Sequence, residues 1–162
     1  MLAAPVGLQG IISTFGDLTP YIADDGIISE TEEANFLTTF ELPFYMKYAF
    51  DTKVTIKRIK CHKLIVEPLL SVFNDIKNNN LDKYCLEYGG CYNYRKSRTS
   101  NKLSTHSWGI AIDLNPNTNQ LGNPRGDMNK DVVTIFKKYG FTWGGDFKST
   151  ADRMHFQFCS GY

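Results

Sequence analysis

The run Ile110-Ala111-Ile112-Asp113-Leu114 alternates strictly enough to dictate a strand, and it sets a carboxylate inside an apolar pattern. Ile110, Ile112 and Leu114 then point one way and Ala111 and Asp113 the other, the small Ala111 keeping room beside Asp113. A second alternating run, Met154 to Cys159, sets Phe156 and Phe158 on one side and His155, Gln157 and Cys159 on the other, with Asp152 just upstream. If both strands turn their apolar faces to one core, Asp113 and His155 share the open face. His106, shortly before the first strand, can then fold over as a third partner.

Two imidazoles and one carboxylate leave a fourth tetrahedral position for water, the arrangement of a catalytic rather than a structural zinc site. The metal would bring the water pKa to about 7 and polarise a bound carbonyl. A further carboxylate must accept the water proton and pass it to a leaving amine, and Asp152 is the candidate, with Asp146 in reserve. For the developing oxyanion Arg95 stands ahead of Arg98. Spacing alone leaves a buried, hydrogen-bonded His106–Asp113 pair as open as a metal site. Asp152 can equally cap the turn before the last strand, and Trp143 with Gly144-Gly145 reads first as core and turn. His62, placed in an amphipathic helix with no partner in register, reads as structural.

The 162-residue chain is long enough for one domain with a real core, and its net charge of +1 offers no electrostatic footprint for nucleic acid. The locally basic stretch Lys53 to Lys63 is interrupted by Val54, Ile56 and Ile59 and reads as a solvated strand edge. No apolar run reaches the roughly 18 to 20 residues of a membrane span, and Met1 to Ile12 lacks a basic region ahead of its apolar residues, so no secretion signal is expected. The expected setting is synthesis in the cytoplasm and action after release or delivery. Cys61, Cys85, Cys91 and Cys159 form no C-x-x-C pair; reduced thiols are expected, a Cys85–Cys91 disulfide being the alternative.

Residues 1 to 40 read as a lead-in, glycine-rich and irregular to about residue 26, followed by a capping box at Ser29-Glu30-Thr31-Glu32 that opens a short helix to about Phe36. Residues 41 to 162 read as the domain proper. Phe44 to Phe50 and Val54 to Ile59 form two strands around a turn at Asp51-Thr52-Lys53. Ile65, Leu69, Val72, Phe73 and Ile76 then mark a helix that Pro68 should kink or restart and Asn78-Asn79-Asn80 should end. Tyr84 to Tyr94 reads as a short strand and a turn at Gly89-Gly90, and Asn115 to Gly126 as a loop. Asn129 caps a helix that Gly140 terminates, and the final strand closes the chain. The fold class is α+β, an antiparallel sheet with helices mainly on one face.

At these residues the sequence resembles the M15 zinc peptidases, which include D-alanyl-D-alanine carboxypeptidases and the L-alanyl-D-glutamate endopeptidases of phage endolysins. The family pattern Ser-x-His-x-x-Gly-x-Ala-x-Asp, followed later by Asp-x-x-His, is matched by Ser104, His106, Gly109, Ala111, Asp113, Asp152 and His155. Leu42-Pro43-Phe44, Cys61-His62-Lys63, the approach from Tyr92 to Arg95 and Trp143-Gly144-Gly145-Asp146 extend the likeness to about Leu42–Phe158, closest to the phage and prophage branch. The resemblance implies a Hedgehog/D-Ala-D-Ala-peptidase type of fold with one zinc in an open cleft, held by His106, Asp113 and His155. It also implies Asp152 as general base, Arg95 on the intermediate or a substrate carboxylate, and Ser104 supporting substrate or loop, with Trp143 and Asp146 as further substrate contacts. The implied partner is the peptidoglycan stem peptide, cut by an L-Ala–D-Glu endopeptidase or a D,D-carboxypeptidase. A non-catalytic component of a phage tail or injection particle is the alternative.

Overall fold

The computed structural model describes residues 2–18, 28–98 and 100–162. A six-stranded sheet forms its centre, built from β1 (Leu37–Tyr48), β2 (Asp51–His62), β3 (Glu87–Gly90), β4 (Ala111–Leu114), β5 (Thr142–Trp143) and β6 (His155–Gln157), in the order β2-β1-β3-β4-β6-β5. The α+β class holds, but the sheet is mixed rather than antiparallel, because β1 and β3 run parallel through Lys47↔Glu87 and Tyr48↔Tyr88. The long excursion between them, including α3 (Val66–Asn78), gives the chain length for such a crossover.

The β1–β2 hairpin turns at Ala49-Phe50, two residues earlier than expected, and Tyr48 pairs with Asp51. The turn-like character of Asp51 is local: its Oδ1 accepts from the Lys53 amide at 3.1 Å inside the strand. Pro43 is tolerated where register is lost between Glu41 and Met46, the kind of irregularity that absorbs a residue without a donor. At Pro68 the helix is restarted rather than kinked: a 3₁₀ turn, Lys63–Ile65, precedes it and α3 begins at Val66. Pro68 sits in the first turn of α3, where amides have no helical partner. Asn79 caps that helix, and Asn80 takes φ 57° beyond it.

The capping box at Ser29 is formed, opening α2 (Glu30–Phe36). The irregular lead-in is in part a helix, α1 (Gly7–Phe15), which seats Ile11 and Phe15 in the core; the expectation for residues 19–27 lies outside the described residues. The Trp108 indole donates to the Gly16 carbonyl at 2.8 Å, tying the end of α1 to the segment that carries His106. Helix α4 (Lys130–Lys138), capped by Asn129, lays Phe136 flat on Phe156 with ring centroids 4.0 Å apart. With Ile112 and Leu114 also fully buried, one face of β4 and β6 is sealed, and the other is left for polar side chains.

His62 is not on a helix. It ends β2, its Nδ1 accepts from the Leu64 amide at 3.2 Å, and it also hydrogen-bonds the Phe15 backbone. Packed between Phe15 and Phe36, it is 2% exposed, and burial pushes its pKa down to about 4. The folded chain therefore holds His62 neutral while the unfolded chain protonates near pH 6.5. Stability from this residue is present above that pH and drains away as pH falls toward 4, by about 3 kcal/mol in all. In urea titrations of metal-free protein, the advantage of wild type over His62→Gln should shrink by that amount between pH 7 and pH 4. A constant difference would show that His62 is not buried neutral.

All four cysteines are free and buried. Burial pushes the thiols of Cys61, Cys85 and Cys159 up to about 12, leaving them protonated and unreactive.

Candidate active site

Strands β4 and β6 pair so that Asp113 lies directly opposite His155. The shared open face inferred from alternation is thus a direct cross-strand pair. His106 arrives on a 3₁₀ turn, Thr105–Trp108, whose first amides are capped by Ser104: its Oγ accepts from the His106 amide at 3.4 Å. The turn ends at Gly109, which takes φ +65° and lies against β2. A Cβ there would come within 2.8 Å of Leu37 and 2.9 Å of the His62 nitrogen, so only glycine lets the turn close on the sheet.

The three side chains converge. Asp113 Oδ1 is 3.0 Å from His155 Nδ1 and 3.3 Å from His106 Nε2, and the two imidazole nitrogens are 3.2 Å apart. The outer nitrogens decide what faces inward. His106 Nδ1 lies 2.8 Å from the Cys91 carbonyl, which can only accept, so this nitrogen carries a proton. His155 Nε2 lies 3.1 Å from Gln157 Oε1, which also accepts from Thr105 Oγ1, and it too is the protonated nitrogen. In the neutral rings both inner nitrogens are then lone pairs, aimed at a carboxylate oxygen.

Three acceptors converging in this way suit a cation between them, and the ligand atoms lie within 4.8 Å of one another. The residues fit a zinc ion in donor type and in number, leaving a position for water. Without metal, a proton serves the same purpose. Burial alone would lower the His155 pKa, yet the hydrogen bond and charge of Asp113 raise it. Burial alone would raise Asp113, yet the two imidazoles hold its carboxyl far below the usual carboxylate range.

Gln157, Thr105 and the Cys91 carbonyl are contributors that sequence reasoning did not single out; for Gln157 the signal was its place on the same strand face as His155. Partners that fix ligand tautomers typically carry about 10- to 100-fold in metal affinity. Gln157→Leu should weaken zinc binding by that range in a chelator competition while leaving the fold intact, and unchanged affinity would show that the Gln157 contact does not orient His155.

The triad opens into a cleft of about 540 Å³ walled by Arg95, Arg98 and Lys102 to Ser104 on one side, by Phe147 to Thr150 on another, and by Asp152, Leu121 and Tyr162. Asp152 lies on this cleft. Its Oδ1 is buried with no hydrogen-bond partner, and burial raises its pKa above the usual value, partly opposed by His155. Gly144 underlies the turn: the Asp152 amide donates to its carbonyl at 2.8 Å, and a Cβ on Gly144 would fall 2.4 Å from the Asp152 carbonyl oxygen. The Gly144-Gly145 pair therefore serves close packing beneath the site.

Arg95 is half-buried in the cleft wall. Its Nη1 donates to the Lys96 carbonyl at 3.1 Å, and its buried Nε has no partner. Its backbone is clamped to the His106 turn by Ser107 Oγ, which donates to the Arg95 carbonyl and accepts from its amide. Arg98 is exposed at the rim of the same cleft, so Arg95 holds the inner position. Ser104 lines the cleft as well as capping the turn. Trp143 and Asp146 are not brought to it. The Trp143 indole donates to the Arg153 carbonyl, and Asp146 pairs with Lys137 at 2.5 Å on the surface. Asp146 is thereby set aside as the reserve base.

Residues 97–158 match the family model described as D-alanyl-D-alanine carboxypeptidase, a span that includes His106, Asp113, Asp152 and His155 and begins just after Arg95. That family is zinc-dependent in general. The match covers the segment that holds the convergent triad, and over that segment the chain is similar to the M15 peptidases, a family of metallopeptidase-type hydrolases.

Proposed function

We propose that the chain is a zinc peptidase that cleaves stem-peptide amide bonds of peptidoglycan, as an endopeptidase of the L-Ala–D-Glu type. The observation that carries catalysis is Asp152, which lines the same cleft as the three convergent ligand groups and whose buried Oδ1 has no hydrogen-bond partner. A structural metal site has no use for a free carboxylate there, which argues against a non-catalytic tail or injection-particle component. His106, Asp113 and His155 would hold the zinc ion, which supplies Lewis acidity toward the amide carbonyl and lowers the pKa of water.

Asp152 takes the proton of the attacking water, its raised pKa bringing it closer to neutrality as a base. It then gives that proton to the amine nitrogen as the C–N bond breaks. The guanidinium of Arg95, with an unused buried N–H, faces the negative charge that develops on the carbonyl oxygen. Ser104 keeps the His106 turn in place. No helix among the described residues is long and apolar enough to cross a membrane. The proposed setting is delivery to the wall from a phage or phage-like particle.

The description of the matched family favours a second reading, removal of a terminal D-Ala. Mass spectrometry of muropeptides after digestion separates them. New amino-terminal D-Glu supports the endopeptidase, and loss of D-Ala from the pentapeptide alone moves the activity to a carboxypeptidase. Release of neither under any metal condition removes both.

A further inference from the structure

The chain as a whole is nearly neutral, yet its cleft is not. Arg95, Arg98, Lys102 and Lys148 line it against two carboxylates, Asp113 and Asp152, and both of these belong to the reacting centre. The cations come from two separate segments, residues 95–102 ahead of the His106 turn and the loop after β5. Two of them have other work: Arg95 lies in the inner wall, and the Lys102 ammonium sits 5.2 Å over the Tyr162 ring. Arg98 and Lys148 are exposed on the cleft, and no ion pair among the described residues engages either. Serines at 97, 100 and 149 and Thr150 line the cleft beside them, adding hydroxyl donors.

We propose that Arg98 and Lys148 select substrate by charge, binding a free carboxylate close to the scissile amide, so that the cleft takes stem peptides with unamidated carboxylates in preference to their carboxamides. This rests on the peptidase reading and names the substrate form that it acts on. A guanidinium receives a carboxylate through two parallel N–H donors, and an ammonium on the second loop adds a point charge. Because both groups are solvent-exposed, their attraction is screened by salt, and the preference is strongest at low ionic strength.

The test uses the zinc-loaded full chain carrying Asp152→Asn, which slows turnover about 10³-fold, and two synthetic stem peptides identical except that the carboxylates of one are carboxamides in the other. Calorimetry should show the free acid bound about 10-fold tighter or more at low salt, with the gap narrowing at high salt. Adding Arg98→Gln and Lys148→Gln should reduce the preference to within about 2-fold by weakening the acid peptide alone, since the two charges no longer contribute. On the otherwise wild-type enzyme, the same pair of substitutions should raise KM for the acid peptide more than for the carboxamide. Equal binding of the two peptides, or a preference that survives both substitutions, overturns the charge selection while leaving the peptidase reading intact. Binding of neither peptide overturns both.

Discussion

Asp152→Asn is expected to fold normally, to hold one zinc per chain, and to release amines from peptidoglycan about 10³-fold more slowly than wild type, within the range usual for loss of a general acid–base. The substitution keeps shape and removes charge. Asp152 is not among the convergent ligand atoms, so metal content should not fall. Nor should stability, because the carboxylate has no hydrogen bond at Oδ1 to lose and burial already disfavours its charged form. Since burial raises its pKa, the acid limb of the wild-type rate profile should stand above the ordinary carboxylate value, and it should vanish from the residual activity of the variant. Turnover within a few-fold of wild type would take the base role from Asp152; loss of zinc would make it part of the metal site instead.

The pairing of Asp113 with His155 was legible because alternation is a geometric statement: the two occupy in-phase positions on strands whose apolar residues are all buried. His106 was legible only as a residue near its strand. The turn that aims it depends on a glycine at positive φ and on the Cys91 carbonyl, and neither leaves a local signature. The parallel β1–β3 pair was hidden for a similar reason, since β3 is only four residues long and pairing direction is set by a crossover, not by its own sequence. Helix α1 was missed because Gly7 and Gly10 give it poor intrinsic propensity. Ile11 and Phe15, buried against the core, hold it instead, and such packing cannot be read from one segment. Trp143 and Asp146 were placed at the site by adjacency in sequence, but the 3₁₀ turn after β5 carries Asp146 outward to Lys137.

Asp113→Ala should abolish zinc-dependent stabilisation together with activity, and its pH dependence without metal should identify the cause. In metal-free wild type, Asp113 has a depressed folded pKa, so its contribution is present above the unfolded value near 3.9 and is lost as pH falls through the folded one. His155 has a raised folded pKa, so its contribution is complete below about 6.5 and is lost as pH rises through the folded value. The proton-bridged pair therefore supports the apoprotein between about pH 4 and 6.5. Above that window the bridging proton leaves, and three acceptors face one another until a divalent cation enters. Zinc should accordingly stabilise wild type most at neutral and higher pH, by about 4 kcal/mol when free metal stands 1,000-fold above its dissociation constant. Asp113→Ala removes the only anionic ligand. Thermal melts with zinc and with chelator should then coincide within about 1 kcal/mol at every pH under the same metal concentration, and the variant apoprotein should lose its advantage specifically in the mildly acidic window. A variant that still gains the full zinc increment would show that the metal binds elsewhere than between His106 and His155.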